Sequence, residues 1–297
     1  MTGSAQEIAF ETRLDVFPLQ QAEIGAQRVI GYRATVAREA ARSALPVVLL
    51  HGIGSGAASW VQQLEALGNP GNARAVYAWD APGYGVSTPV SPASPQAGDY
   101  VEALAAWLDA LGLKRIVLVG HSLGAIIAGA FAQAHPSRVA GLLLISPAAG
   151  YGKAEEAVRI EKRDNRLAMV AELGPQGLAE KRAGNMLSPQ AGEAARAWVR
   201  WNMSRIVPAG YAQATHLLAN ADLAGHVAQF AGPIAVAVGA QDAITPPAGC
   251  GRIAEAARTT LRILPGAGHA GYIEAPEAYT ALIDAFCQRV ESAGGLA

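Results

Sequence analysis

The chain has 297 residues, 51% of them hydrophobic and 16% charged, with 23 Lys and Arg against 24 Asp and Glu. This composition excludes an intrinsically disordered chain, which pairs low hydrophobicity with high net charge. A net charge of −1 excludes the basic field that binding to nucleic acid or anionic lipid requires.

The N-terminal residues, Met1 to Glu7, show neither the basic start nor the apolar stretch of a signal peptide. No run reaches the ~18 apolar residues of a membrane span. A cytoplasmic protein with no membrane partner is expected, and oligomeric state is not legible. The only cysteines, Cys250 and Cys287, lack metal-type spacing and read as buried or incidental thiols.

Residues 8–16 and 27–36 alternate loosely between apolar and polar, which predicts half-buried antiparallel strands at a sheet edge. From Pro46 the pattern changes to short unbroken apolar runs at 47–50, 75–79, 116–119 and 142–145. Such runs are expected of strands covered on both faces, and hence of a parallel sheet. Residues 99–111 place Val101, Leu104, Ala105, Leu108 and Leu111 on a helical stripe. Two further runs, 234–238 and 261–264, and a helical stretch at 276–290 close the chain. Strand and helix alternate as in a doubly wound α/β fold. The intervening residues 151–230 are richer in charge and helical in spacing. They read either as a helical lid inserted into a core of residues 1–150 and 231–297, or as outer helices of the same domain. The Ser- and Pro-rich stretch 87–95 reads as a surface connection.

Gly120-His121-Ser122-Leu123-Gly124 follows one apolar run and opens a segment of small residues. As a bare pattern it could be a small-residue turn. A strand before and a helix after would hold Ser122 on a sharp turn at the carboxyl edge of the sheet, with the Leu123 amide directed at a developing oxyanion. A serine hydroxyl needs a base to become a nucleophile at neutral pH. Of six histidines, His269 in Gly266-Ala267-Gly268-His269 follows the last strand-like run, whereas His135 ends a helix and His216 and His226 fall in the insertion. The carboxylate that orients the imidazole is expected from Asp242, just beyond the run at 234–238. After the preceding run the chain reads Ser146-Pro147-Ala148-Ala149-Gly150, without a carboxylate. Ile53, in His51-Gly52-Ile53-Gly54, is the expected second oxyanion donor through its amide, and Asp80 is expected to hold its own loop.

Leu50-His51-Gly52, Asp80-x-Pro82-Gly83-x-Gly85-x-Ser87, the pentapeptide around Ser122, Gly239-x-x-Asp242 and Gly268-His269 together resemble the α/β-hydrolase superfamily, in its chain order of serine, acid and histidine. The resemblance implies an α/β-hydrolase fold. That fold has a mostly parallel eight-stranded sheet with helices on both faces, a helical cap between strands six and seven, and a Ser122/Asp242/His269 triad. Haloalkane dehalogenases and epoxide hydrolases carry Asp at the nucleophile position, so Ser122 favours an acyl-enzyme route without metal or organic cofactor. Pro208-x-Gly210-Tyr211, Ala221-Asp222-Leu223 and Thr245-Pro246-Pro247 are similar to bacterial ester and lactone hydrolases such as 3-oxoadipate enol-lactonases, implying a small-molecule ester or lactone substrate. His51-Gly52-x-Gly54-x-Gly56-Ala57 with Trp60 resembles the carbon–carbon bond hydrolases of ring-fission products. Those usually have Asn before the serine and Gly after the pentapeptide, where this chain has His121 and Ala125. A third reading, from a different class, is a ligand receptor with little turnover. In the insertion, Arg159, Arg163, Arg166, Arg182, Arg200 and Arg205 could meet a substrate carboxylate or be solvated. Trp198, Trp201 and Met203 could line a pocket or form the lid's own core.

Overall fold

The computed structural model describes residues 5–35, 44–69 and 74–293. Residues 1–4 of the N-terminal segment and Val36, the end of the second expected strand, lie outside these. The chain begins with α1 (Ala5–Leu14) where an edge strand was expected over 8–16. The misleading signal is that Phe10 and Leu14, four residues apart, fit both an alternating pattern and one face of a helix. The helical face prevails because both side chains are buried, and the Phe10 ring stacks on Trp198 at 4.4 Å. The edge is formed instead by β1 (Gln20–Glu23), which exposes all its residues but Ala22. β1 pairs antiparallel with β2 (Val29–Ala34), a shorter strand than expected.

The remaining core elements are β3 (Val47–Leu50), α2 (Val61–Gly68), β4 (Val76–Trp79), α3 (Ala97–Ala110), β5 (Ile116–His121), α4 (Leu123–Ala134) and β6 (Val139–Ile145). The segment that lies between β6 and the next strand in the chain, residues 151–230, holds α5 (Glu156–Arg182), α6 (Glu193–Met203), α7 (Pro208–Asn220) and α8 (Leu223–Ala228). The chain closes with β7 (Ile234–Gly239), α9 (Pro247–Ala256), β8 (Leu261–Leu264), α10 (Gly271–Glu274) and α11 (Pro276–Ala293). Among the described residues the sheet has eight strands in the order β1-β2-β4-β3-β5-β6-β7-β8. The pairs β1/β2 and β2/β4 are antiparallel, and all others are parallel.

Every residue of β3, β5 and β6 is buried, which explains their unbroken apolar sequences. Alternate residues serve opposite faces. Val48, Leu50, Leu118, Leu142 and Leu144 join the core under α3 and α4, while Val47, Leu49, Val119, Leu143 and Ile145 join the core under α2 and α11. Full burial of a Leu or Val side chain contributes about 1.5–3 kcal/mol, so each of these strand residues adds substantially to the fold's stability. β8 is an edge strand with Ile263 exposed.

Within the insertion, α5 bends at Gly174, whose φ of +60° and ψ of 179° are open essentially only to glycine. α6 packs on α1 and α7 on α5, whereas α8 lies on α4 and α9 in the layer against the sheet. No helix of the described residues is long and apolar enough to cross a membrane. Cys250 and Cys287 are free and buried, and burial pushes both thiols up to about 12. The stretch 87–95 is held by α7: Gln213 Nε2 donates to the Val90 and Pro92 carbonyls at 2.7 and 2.9 Å.

Candidate active site

Ile53, Ser122, Asp242 and His269 all follow the carboxyl ends of parallel strands, β3, β5, β7 and β8 respectively. They therefore gather at one edge of the sheet, where ligands of doubly wound folds bind. Ser122 separates β5 from α4 at φ +52° and ψ −113°. This conformation is costly for a residue with a side chain and persists only where its surroundings enforce it. The enforcement is close packing. A Cβ on Gly120 would meet the Gly124 carbonyl at 2.5 Å, and one on Gly124 would meet the Leu50 carbonyl at 2.4 Å. The two flanking glycines are thus required by backbone contact, and α4 starts directly behind the hydroxyl.

Asp242 and His269 are both buried and joined, Oδ2 to Nδ1, at 2.9 Å. The other carboxylate oxygen accepts from the amides of Ile244 and Thr245 at 2.9 and 2.8 Å. Burial, the largest single influence, raises the Asp242 pKa. The hydrogen bond and charge of His269 and the Thr245 amide outweigh it and bring the carboxyl down to about 2. An Asp242 carboxylate beside Nδ1 fixes the imidazole with its proton on Nδ1 and Nε2 free.

Ser122 and His269 line the same cavity, of about 470 Å³. The hydrogen bonds of the described residues include none between them. Such contacts are often long without substrate and tighten in the complex. Ile53 and Leu123 line the cavity too, and neither amide bonds to a protein acceptor among the described residues. The Ile53 peptide is held by the Tyr84 hydroxyl, which donates to its carbonyl at 2.8 Å. His51 is set by the Ala81 amide, which donates to its Nε2 at 2.9 Å, and by its own Nδ1 at 2.8 Å from the Gly52 carbonyl. Nε2 is therefore an acceptor, Nδ1 carries the proton, and burial lowers the ring's pKa. Asp80 accepts from the Ala57 amide at 2.7 Å, fastening its own loop to the one carrying Ile53.

Several side chains to which the sequence assigns no role in the site also support it. Thr245 Oγ1 lies 2.9 Å from Asp242 Oδ2 and 3.1 Å from His269 Nδ1. His121 is buried between the rings of Trp60, Tyr272 and His269, and its Nε2 lies 2.9 Å from the His269 carbonyl. Burial first, then the neighbouring His269, lowers His121 to about 3, so it stays neutral and donates. Glu274 Oε2 accepts from the amides of Gly268 and Ser188 at 2.9 and 3.0 Å, and its other oxygen bonds the Ser188 hydroxyl. The Ala270 amide also donates to the Met186 carbonyl at 2.7 Å. The loop carrying His269 is thus tied to both the sheet and the insertion. The visible signal was a lone carboxylate five residues after His269 in an apolar stretch. Its partner, Ser188, lies 86 residues away in sequence.

The insertion supplies Lys162, Asn165, Arg166, Met169, Leu178, Arg182, Met186, Met203, Tyr211 and Leu218 to the cavity wall. Of the three apolar candidates named above, Met203 is there. Trp198 stacks between Phe10 and Trp201 instead. Among the described residues no three His, Cys, Asp or Glu side chains are gathered as a metal ion requires.

Comparison with known proteins bears on the fold and the family. Human 1-acylglycerol-3-phosphate O-acyltransferase ABHD5 is 39% identical over 105 residues, 34% of this chain and 29% of that protein. Bovine (lyso)-N-acylphosphatidylethanolamine lipase is 30% identical over 109 residues, 36% of this chain and 31% of that protein. These matches span only about a third of the curated relatives' length. A thermophilic esterase from Thermogutta terrifontis, solved with malate bound, superposes with a TM-score of 0.78 at 26% identity, covering 92% of this chain and 99% of that one. The enol-lactonase of Burkholderia xenovorans LB400 gives 0.79 at 22% identity, with 91% and 100% covered. The model of the alpha/beta hydrolase fold family matches residues 46–276, the span from β3 to the start of α11 that holds every site residue above. The chain belongs to the α/β-hydrolase family.

Proposed function

We propose that the protein is a serine hydrolase that cleaves a small carboxylic ester or lactone through an acyl-enzyme on Ser122. The observation that carries this reading is the shared cavity. Ser122, on its forced turn, opens onto the same space as His269, whose Nδ1 is 2.9 Å from Asp242. His269 Nε2 takes the Ser122 proton as Oγ attacks the carbonyl carbon, and Asp242 stabilises the imidazolium. The amides of Ile53 and Leu123 receive the oxyanion, the latter aided by the N-terminus of α4. The imidazolium then protonates the leaving alkoxide. Water, deprotonated by His269, attacks the acyl carbon and frees Ser122. Residues 151–230 act as the cap that shapes the substrate space, with α8 anchored against α4 and α9.

The test is turnover of p-nitrophenyl acetate together with labelling by a fluorophosphonate. Ser122→Ala should lower kcat on the order of 10⁶-fold and abolish labelling. Wild-type turnover in that variant, or a label on another residue, would sink the proposal. An inactive wild type across short-chain esters and lactones would favour a ligand receptor. Loss of the chromophore of a vinylogous diketone, without ester turnover, would favour carbon–carbon bond hydrolysis.

A further inference from the structure

Six arginines of the insertion were candidates to meet a substrate anion, and their surroundings divide them. Arg163 pairs with Asp164 and Arg205 with Glu11, and Arg159, with only a 3.8 Å exposed contact to Glu156, lies off the cavity wall. Arg200 is exposed and lies off the cavity wall. Arg166 and Arg182 remain. Both are half-buried, both line the cavity that holds Ser122, and neither has a carboxylate or carbonyl partner among the described residues.

Lys162 and Arg252 line the same cavity, and no Asp or Glu does. Lys162 has only an exposed contact with Glu161 at 3.8 Å, and Arg252 only a 3.3 Å bond to the Ala248 carbonyl. Four cations thus face one space in a chain whose net charge is −1. The arrangement is periodic. Lys162, Asn165, Arg166 and Met169 fall at i, i+3, i+4 and i+7 on the first half of α5, and Leu178 and Arg182 at i and i+4 beyond the Gly174 bend. Both halves of α5 therefore turn a face that mixes cations with apolar side chains toward the cavity.

A partly desolvated guanidinium without a counter-ion is unfavourable, and its planar donor fork suits a carboxylate or phosphate. A cleft lined by one sign of charge also concentrates ligands of the opposite sign. We propose that Arg166 and Arg182 form an oxyanion subsite. On this proposal, which rests on the serine hydrolase reading, the preferred substrates are esters that carry an anionic group joined by an apolar chain to the scissile bond. Met169, Leu178, Met186 and Met203 would cover that chain.

The test compares mono-p-nitrophenyl suberate with its neutral methyl ester, and with an equally long p-nitrophenyl ester ending in a phosphate monoester. Wild type should prefer an anionic substrate by about tenfold or more in kcat/KM, through KM, as expected for hydrogen bonds to a charged group. The better of the two anionic arms identifies the oxyanion. Raising salt from about 50 to about 500 mM should erode the preference by screening. The Arg166→Gln/Arg182→Gln variant should bring the ratio of anionic to neutral kcat/KM near unity, and Arg166→Lys/Arg182→Lys should restore part of it. Equal or better use of the neutral ester by wild type would overturn the subsite and leave the hydrolase reading intact. If no ester is turned over, the hydrolase reading falls and the subsite is decided by calorimetry of monomethyl suberate on Ser122→Ala. Binding lost in the double glutamine background supports it, and absence of binding overturns it.

Discussion

Arg74 of the sheet core and Arg166 of the insertion are the same residue type put to opposite uses. Arg74, its side chain only 6% exposed, bonds Asp284 at 3.0 Å and Glu291 at 2.6 Å, tying the start of β4 to α11. Arg166 is half-buried against a cavity with no carboxylate beside it. The Asp242–His269 pair follows the core's rule, with each buried charge answered inside the fold. Arg74 is neutralised where it holds geometry, and Arg166 is left open where it faces the cavity.

Among changes to charged groups, the largest expected effect breaks the internal pair behind the cavity. Asp242→Asn should lower kcat for p-nitrophenyl acetate roughly 10³–10⁴-fold, because the amide favours the wrong imidazole tautomer. Near-wild-type turnover in steady-state assays would count against the assigned acid. Arg74→Met should destabilise the protein by about 3–5 kcal/mol in urea unfolding, since it strands two partly buried carboxylates.

The Asp242 pair also predicts a pH dependence. The folded carboxyl titrates at about 2, below the ~3.9 of an unfolded Asp. Its stabilisation is complete above the unfolded value and lost as pH falls through the folded one. Between about pH 6 and pH 2, wild type should lose about 2 kcal/mol relative to Asp242→Asn, measurable by unfolding at both pH values. The smallest effect sharpens the contrast. Arg166→Gln should change the unfolding free energy by less than about 0.5 kcal/mol, against the loss expected for Arg74→Met.

The residues that the sequence placed best are those whose signal is local. β3, β5 and β6 announce themselves because strands covered on both faces need no polar residues. The segment at 8–16 misled because Phe10 and Leu14 satisfy two periodicities, and the choice between them rests on Trp198, nearly 190 positions away. Ser122, Asp242 and His269 were legible as positions, since each directly follows a strand. Their supports were not: Thr245, His121 and Glu274 act through contacts that no sequence pattern records.

The sequence by itself determined the alternation of strands and helices, the carboxyl edge where the chemistry-bearing side chains fall, and the glycine-flanked turn at Ser122. These are consequences of apolar periodicity and backbone sterics within a few residues. Only the tertiary structure decided which insertion arginines face the cavity and which are answered by a carboxylate. Those outcomes depend on side chains brought together across the fold, where distance and burial, not spacing along the chain, set the energy of a charge.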